Sequence, residues 1–147
     1  MIRRAVVDDV AAVTSVVITA GMFGTEDEAF LKELFGDYFD AKEVEGHAFV
    51  VDVDLSGVRG MAYYQPEAAA DRIWNLTMIA VRPDQQGRGI GRALMTYVEN
   101  ALREGGQRLL VVETSATTQY ARTREFYAQQ GYDEEAQVRD YWSDGDV

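Results

Sequence analysis

Three glycines and three arginines lie close together in RPDQQGRGIGRALM, residues 82–95, although the formal net charge of the chain is −11. Glycine lets a bulky group approach the backbone, and the first N–H groups of a helix have no intrahelical partner and attract anions. The segment follows the apolar stretch IWNLTMIAV and precedes a helical pattern that begins near Gly89. This arrangement predicts an anion-binding loop between a strand and a helix. A glycine-rich turn without a ligand is the alternative.

Two familiar phosphate-binding motifs do not fit the spacing of these glycines. A dinucleotide-binding fingerprint that begins at Gly87 requires glycine where Arg92 stands, and one that begins at Gly89 requires it where Leu94 stands. A P-loop requires Gly-Lys followed by serine or threonine, which the sequence does not contain. The pattern that is present is Q-x-x-G-x-G, from Gln86 to Gly91.

Composition excludes several classes of chemistry. The chain has no cysteine and one histidine, His47, which argues against a disulfide framework, a thiol nucleophile, a histidine-based triad and a metal site. We expect His47 to pack at the start of a strand. The pI near 4.4 argues against a nucleic acid partner. The sequence has no long apolar span and no signal peptide at its N-terminus, so we expect a cytoplasmic protein that does not bind membranes.

The negative charge is concentrated in two segments. Residues 26–45 contain eight carboxylates and two lysines, a net charge of −6, and residues 133–146 contain six carboxylates and one arginine, a net charge of −5. The rest of the chain is neutral overall, so the glycine and arginine segment is locally positive. This contrast predicts two ligand surfaces of opposite polarity.

The periodicity of apolar residues predicts one domain, residues 1–147, with a mixed α/β sheet and the order β-α-α-β-β-β-α-β-α-β. The first predicted strand is IRRAV. A first helix is capped by Asp8 or Asp9 and ends at Gly21. A second, acidic helix begins at a capping box formed by Thr25 and Glu28. Later strands are HAFVVDVD, VRGMAYYQ, a central IWNLTMIAV, a buried RLLVVET and a short final YDEEAQV; later helices run from Ile90 to about Gly105 and from Tyr120 to Gln130.

Two motifs together resemble the GNAT superfamily of acyl-CoA-dependent N-acetyltransferases. The first is Q-x-x-G-x-G at Gln86 to Gly91, and the second is FYAQQGY at Phe126 to Tyr132, which is similar to the family's F-Y-x-x-x-G-F/Y element. Their separation, with a strand between them, also fits. The resemblance covers roughly residues 73–132 and implies a GNAT-like acetyltransferase fold, whereas the N-terminal part is similar only in its order of elements.

The resemblance implies acetyl-CoA as a co-substrate, with no metal. The amides from Gly87 to Gly91 would hold the CoA diphosphate, and Ile79 to Val81 would pair with the pantetheine arm as an added strand does. The residues that the resemblance places at the cofactor are Ile79, Ala80, Val81, Gln86, Gly87, Arg88, Gly89, Ile90, Gly91 and Arg92.

In this family an amine attacks the thioester directly, with no covalent enzyme intermediate. Tyr127 occupies the position of the family's usual acid for the departing thiolate; packing beside Phe126 is its alternative role. Glu113, which we expect to be partly desolvated, could accept the amine proton directly or through water, or could instead cap the loop near Thr114 and Ser115. Asn75 is a weaker polar candidate.

The sequence departs from the family in two places, and the role of two arginines near the first of them is open. Many relatives have asparagine six residues before the phenylalanine of the second motif, where this chain has Tyr120. Arg122 and Arg124 either reach the adenosine 3′-phosphate or are simply exposed. Relatives usually close with another strand after the segment similar to RDYWSDGDV; if that strand is missing, the bare sheet edge is expected to form a homodimer.

The leading interpretation is an N-acetyltransferase that acts on a primary amine of a small molecule or a peptide. A non-catalytic acyl-CoA-binding or regulatory module on the same fold is the second hypothesis, and an interaction protein with an incidental glycine turn is a distant third. The carboxylates of residues 26–45 favour an acceptor with positive charge beyond the reacting amine.

Overall fold

Alternating apolar residues form five strands in one sheet. These are β1 (Ile2–Arg4), β2 (Ala48–Asp54), β3 (Gly57–Pro66), β4 (Ile73–Val81) and β5 (Leu109–Val112), which are neighbours in that order. In this computed structural model, which describes residues 1–144, β1 to β4 pair antiparallel with their neighbours. The connection from β4 to its neighbour β5 contains a helix. Two parallel neighbouring strands require such a crossover, so β5 runs parallel to β4 and the sheet is mixed. The predicted positions of these strands are confirmed.

Four α-helices occupy the predicted places in the chain. They are α1 (Val10–Thr19), α2 (Glu28–Asp37), α3 (Ile90–Glu104) and α4 (Ala121–Gln129). A π-helical turn, Tyr38–Lys42, follows α2 directly and leads toward β2. Glycines in the left-handed conformation follow α1 and α4, with φ of 87° at Gly21 and 91° at Gly131, and the sequence predicts Gly21 as the end of its helix.

The two faces of the sheet bury different helices. On one face the α1 and α2 side chains pack on β2 to β4, where the largest fully buried members are Phe35, Phe49, Leu31 and Met61. On the other face α3 buries Leu94, Met95 and Val98. Gly60 in β3 permits this close approach, because a Cβ there would lie 3.1 Å from the Leu94 Cδ1 atom.

The chain divides into two compact units, residues 1–111 and the part from Val112 onward. In the second unit a 3-10 turn, Thr118–Tyr120, leads into α4. The predicted final strand YDEEAQV is wrong, because residues 132–138 have no regular secondary structure. Three successive carboxylates, Asp133 to Glu135, have low strand propensity and repel each other. The end of the RDYWSDGDV segment, residues 145–147, lies outside the described residues.

Two further expectations are corrected in the first unit. Thr25 and Glu28 form no capping box: a 3-10 turn, Thr25–Asp27, precedes α2, and the Asp27 carboxylate accepts the Gly24 N–H at 3.0 Å. The strand RLLVVET is shorter than predicted and is not buried, since Leu109 and Val111 are 55% and 38% exposed.

Within residues 1–144 no helix is both long and apolar enough to cross a membrane. The same residues bring together no group of three or more side chains that could ligate a metal ion.

Candidate active site

The glycine loop connects the end of β4 to the start of α3. After Val81 a short 3-10 turn, Pro83–Gln85, carries the chain to Gly87 and Gly89, whose φ angles are 77° and 80°. Only glycine adopts this left-handed conformation readily, so the two glycines are required by the path of the backbone. The predicted strand–loop–helix arrangement is confirmed.

The N-terminus of α3 offers hydrogen-bond donors that the protein does not use. The first intrahelical bond runs from the Ala93 N–H to the Gly89 carbonyl at 2.9 Å, which leaves the N–H groups of residues 90–92 without a helical acceptor. No side chain caps this end of the helix. A Cβ at Gly87 or Gly89 would meet nothing within 4 Å, so the space before the loop is open. These donors and this space fit a diphosphate group.

Two polar residues of the loop fix its shape. Arg82 donates to the Asp84 carboxylate at 2.6 Å and to the Ser56 hydroxyl at 2.9 Å, and so ties the loop to the β2–β3 turn. The Gln86 amide donates to the Val81 carbonyl at 3.2 Å and folds the loop back on β4. The Arg82 guanidinium group is therefore already hydrogen-bonded within the protein.

The other two arginines of the segment are available to a ligand. Arg88 and Arg92 are not buried and make no ion pair within residues 1–144. A shallow groove of about 450 Å³ runs along the exposed side of α3, with Gly89, Arg92, Ala93 and Thr96 among its lining residues. It brings together two of the predicted cofactor residues and does not include Ile79 to Val81.

The end of β4 directs two peptide groups away from β3. The Arg82 N–H donates to the Arg59 carbonyl at 2.7 Å, and the antiparallel register pairs Val81 with Gly60. In an antiparallel pair, successive residues direct their peptide groups alternately toward and away from the partner strand. The peptide groups of Ile79 and Val81 therefore face away from β3, toward the opposite edge of β4. Ala80 instead bonds toward β3 and buries its methyl group in the core.

Strand β5 begins beside the start of β4, because the Arg108 N–H donates to the Arg72 carbonyl at 2.8 Å, just before β4. In this first part of β4, the Asn75 side chain donates to the Glu67 carboxylate at 3.2 Å, so Asn75 is engaged within the protein.

Tyr127 lies on α4 in the second unit, half-buried between two other aromatic rings. Its ring centroid lies 5.4 Å from that of Phe126 and 5.9 Å from that of Tyr132. Its hydroxyl makes no hydrogen bond within residues 1–144, and burial raises the pKa of Tyr127 to about 12. Tyr127 therefore both packs against Phe126 and keeps a protonated, unused hydroxyl at neutral pH.

Glu113 follows β5 directly, and its surroundings differ from those expected. The side chain is exposed, so the predicted partial desolvation is wrong. Its Oε2 atom accepts a hydrogen bond from the Tyr141 hydroxyl at 2.8 Å, a contact over 28 residues that no sequence pattern indicates. Loop capping belongs to Ser115, whose Oγ accepts the Thr117 N–H at 3.1 Å.

Arg124 holds this loop through one nitrogen of its guanidinium group. Its Nη1 atom donates to the Ser115 and Thr117 carbonyls at 2.9 and 2.7 Å, so Arg124 is not simply exposed, and a contact with a 3′-phosphate stays a prediction. Arg122 is exposed. The structure thus gathers the glycine loop and the end of β4 in the first unit, and Glu113 and Tyr127 in the second.

The matching family model is the acetyltransferase (GNAT) domain, which covers residues 44–134. A solved GNAT-family protein from Desulfovibrio desulfuricans is 34% identical, with a TM-score of 0.92 over 99% of this chain and 92% of that chain. This match extends over both units, so the GNAT fold forms a single domain. No curated protein matches the sequence.

Two structures of lower identity have the same fold. The ribosomal-protein-S18-alanine N-acetyltransferase from Escherichia coli is 22% identical, with a TM-score of 0.77 over 97% of this chain and 83% of that chain. A Salmonella typhimurium protein is 21% identical, with a TM-score of 0.78 over 99% of this chain and 88% of that chain. It is assigned as an acetyltransferase and was solved with its cofactor acetyl-CoA. With the family model and the 34% identical structure, the glycine loop and the sheet identify this chain as a member of the GNAT acetyltransferase family.

Proposed function

We propose that this chain transfers an acetyl group from acetyl-CoA to a primary amine by direct attack. One observation carries the proposal: two left-handed glycines open the approach to an uncapped N-terminus of the 15-residue helix α3. The related Salmonella protein was solved with acetyl-CoA, and the name of the Escherichia coli relative states that it acetylates an amine nitrogen. The Salmonella protein supports acetyl-CoA as the donor, and the Escherichia coli protein supports nitrogen as the acceptor.

Each part of the proposed cofactor site has a separate role. The N–H groups of residues 90–92 would donate to the diphosphate, with Arg88 and Arg92 supplying positive charge. Gln86 would act indirectly, by holding the loop against Val81. The outward peptide groups of Ile79 and Val81 would pair with the amides of the pantetheine arm. Acetyl-CoA supplies the activated thioester.

Direct transfer requires two proton movements. The amine nitrogen forms a bond to the thioester carbonyl carbon, the carbon–sulfur bond breaks, and sulfur leaves as a thiolate. Tyr127 would give its proton to that thiolate, since its hydroxyl is protonated at neutral pH and has no other partner within residues 1–144. Glu113 would take the amine proton, directly or through water, at Oε1, because Tyr141 occupies only Oε2.

A thiol-release assay with a panel of amines tests this proposal. The panel contains amino acids, polyamines, aminoglycosides and peptides with free N-termini, each offered together with acetyl-CoA. We expect CoA thiol to appear in equal amount with an N-acetylated product, and the protein mixed with acetyl-CoA alone to stay unacetylated by intact mass. Binding of acetyl-CoA without release for any amine would instead indicate a non-catalytic acyl-CoA-binding module.

A further inference from the structure

A second cavity, of about 290 Å³, lies far along α3 from the glycine loop. It opens where β1 ends and β2 begins, and residues from the π-helical turn after α2 and from the second half of α3 close its sides. The charged residues, the histidine and the tyrosines that line it are Arg4, Glu43, His47, Tyr38, Tyr64 and Tyr97. Nothing in the proposed acetyl transfer uses this cavity.

Tyr64 brings a hydroxyl that the protein does not use to this cavity. The residue is 5% exposed, and its hydroxyl makes no hydrogen bond within residues 1–144. Burial is the largest cause that raises the pKa of Tyr64 to about 12, so its hydroxyl keeps its proton and can donate.

Opposite charges line the same cavity. Arg4 makes no ion pair within residues 1–144, whereas its neighbour Arg3 forms a two-bond pair with Asp9. Glu43 lies beside the Tyr38 hydroxyl, and burial first and Glu43 second raise the pKa of that phenol. His47 is already engaged, with its Nδ1 atom 2.7 Å from the Tyr63 hydroxyl. The cavity thus offers a free guanidinium and a free hydroxyl, together with one carboxylate.

We propose that this cavity binds a free α-amino acid with an apolar or aromatic side chain. Arg4 and Tyr64 would hold the carboxylate, and Glu43 would hold the ammonium group. The rings of Tyr38, Tyr64 and Tyr97 would surround the side chain. The size of the cavity, about 290 Å³, is at the low end for small-molecule sites, which suits an amino acid.

The test is titration calorimetry of the full chain without acetyl-CoA. The probes are L-phenylalanine, phenethylamine, which lacks the carboxylate, and 3-phenylpropanoate, which lacks the ammonium group. We expect L-phenylalanine to bind and each truncated probe to bind at least about tenfold more weakly, because a charge-assisted bond is lost. Arg4→Gln and Tyr64→Phe should each weaken L-phenylalanine by about tenfold or more, whereas Arg103→Gln, an exposed α3 residue outside the cavity, should not.

Three results would overturn this assignment: no binding of L-phenylalanine, equal binding of a truncated probe, or unchanged binding in both the Arg4 and the Tyr64 variants. Arg4→Gln alters an exposed side chain and Tyr64→Phe removes one oxygen atom, so thermal melting of each variant checks that the fold is retained. Because the probes contain no thioester and the site is remote from the glycine loop, failure here would leave the proposed acetyl transfer untouched.

Discussion

At the scale of single residues, the proposed reaction depends most on the phenol of Tyr127. Tyr127→Phe removes only the hydroxyl, so we expect turnover to fall by about 10²- to 10⁴-fold, the usual cost of losing a general acid. The affinity for acetyl-CoA should change little. Tyr63→Phe is a matched control, because burial also raises the pKa of Tyr63 to about 12 while its hydroxyl contacts His47. Unchanged turnover in Tyr127→Phe at saturating substrates would assign Tyr127 to packing alone.

The pH dependence gives a separate test of the same residue. Since burial raises the pKa of Tyr127 to about 12, the proton-donor form persists well above the ordinary tyrosine pKa of about 10. We therefore expect no loss of turnover attributable to Tyr127 below about pH 11. A fall in turnover near about pH 10 in the parent protein that is absent from Tyr127→Phe would contradict this assignment.

Motif spacing locates the glycine loop and Tyr127, but it does not predict which polar side chains face inward. Arg82 adds positive charge to the glycine segment and Arg124 is a candidate for the 3′-phosphate in the sequence, yet both donate to oxygen atoms of the protein. Glu113 is expected in a desolvated place and is exposed. Its partner Tyr141 depends on the path of the chain after α4, which no local pattern specifies. Side-chain partners of this kind follow from tertiary contacts.

At the scale of secondary structure, an ion pair anchors the start of α1. Asp9 is nearly buried, accepts two bonds from Arg3 at 2.8 and 3.0 Å, and accepts the Val6 N–H at 2.8 Å. These contacts, the Arg3 bond first, lower the pKa of Asp9 below its usual value. The resulting stability is fully present above the unfolded-state pKa and is lost as the pH falls through the lower, folded-state value.

We therefore expect Asp9→Asn to lower the free energy of unfolding by about 1–3 kcal/mol at neutral pH. The difference should shrink in strong acid, where the parent protein also loses the carboxylate charge. Urea unfolding at neutral pH and in strong acid measures this difference in the free energy of unfolding. Asp8→Asn serves as the control, because Asp8 is an exposed neighbour. An equal loss in both variants, or a loss that does not change with pH, would argue against the ion pair.

Long periodic segments are the most predictable elements. The sequence predicts β4 to the residue and locates α3, because their apolar patterns are long and are bounded by turn residues. The errors occur where one competing contact decides the outcome. Asp27 supersedes Thr25 as the cap because a 3-10 turn brings its carboxylate to Gly24. The wrongly predicted final strand rests on a short, strongly acidic segment with a weak apolar pattern.

At the scale of the whole molecule, the acidic residues 26–45 are proposed to favour a cationic acceptor. Glu26, Glu33 and Asp37 are exposed and make no ion pair within residues 1–144. Their field would raise the encounter rate of cationic amines at low ionic strength, and salt would screen it. We therefore expect kcat/KM for a polyamine to fall as salt rises.

Converting these three carboxylates to amides should flatten the salt dependence, while kcat changes little. Asp27 is left intact because it caps Gly24. The matched control converts Asp133, Glu134 and Glu135, which changes the net charge equally in the second acidic segment. If neutral amines are acetylated as well as cationic ones, or if the control flattens the dependence equally, the segment is only a solvated surface. The formation of a homodimer through an exposed sheet edge stays a prediction.

The central claim is that the loop from Gly87 to Gly91 holds the diphosphate of acetyl-CoA. Calorimetric titration of acetyl-CoA into the parent protein, Gly89→Val and Gly21→Val tests it most directly. Both glycines have left-handed φ angles, 80° and 87°, and a Cβ at either would meet nothing within 4 Å, so both substitutions impose similar backbone strain. We predict that Gly89→Val abolishes binding while Gly21→Val binds as the parent does. Parent-like affinity in a folded Gly89→Val protein would contradict the account.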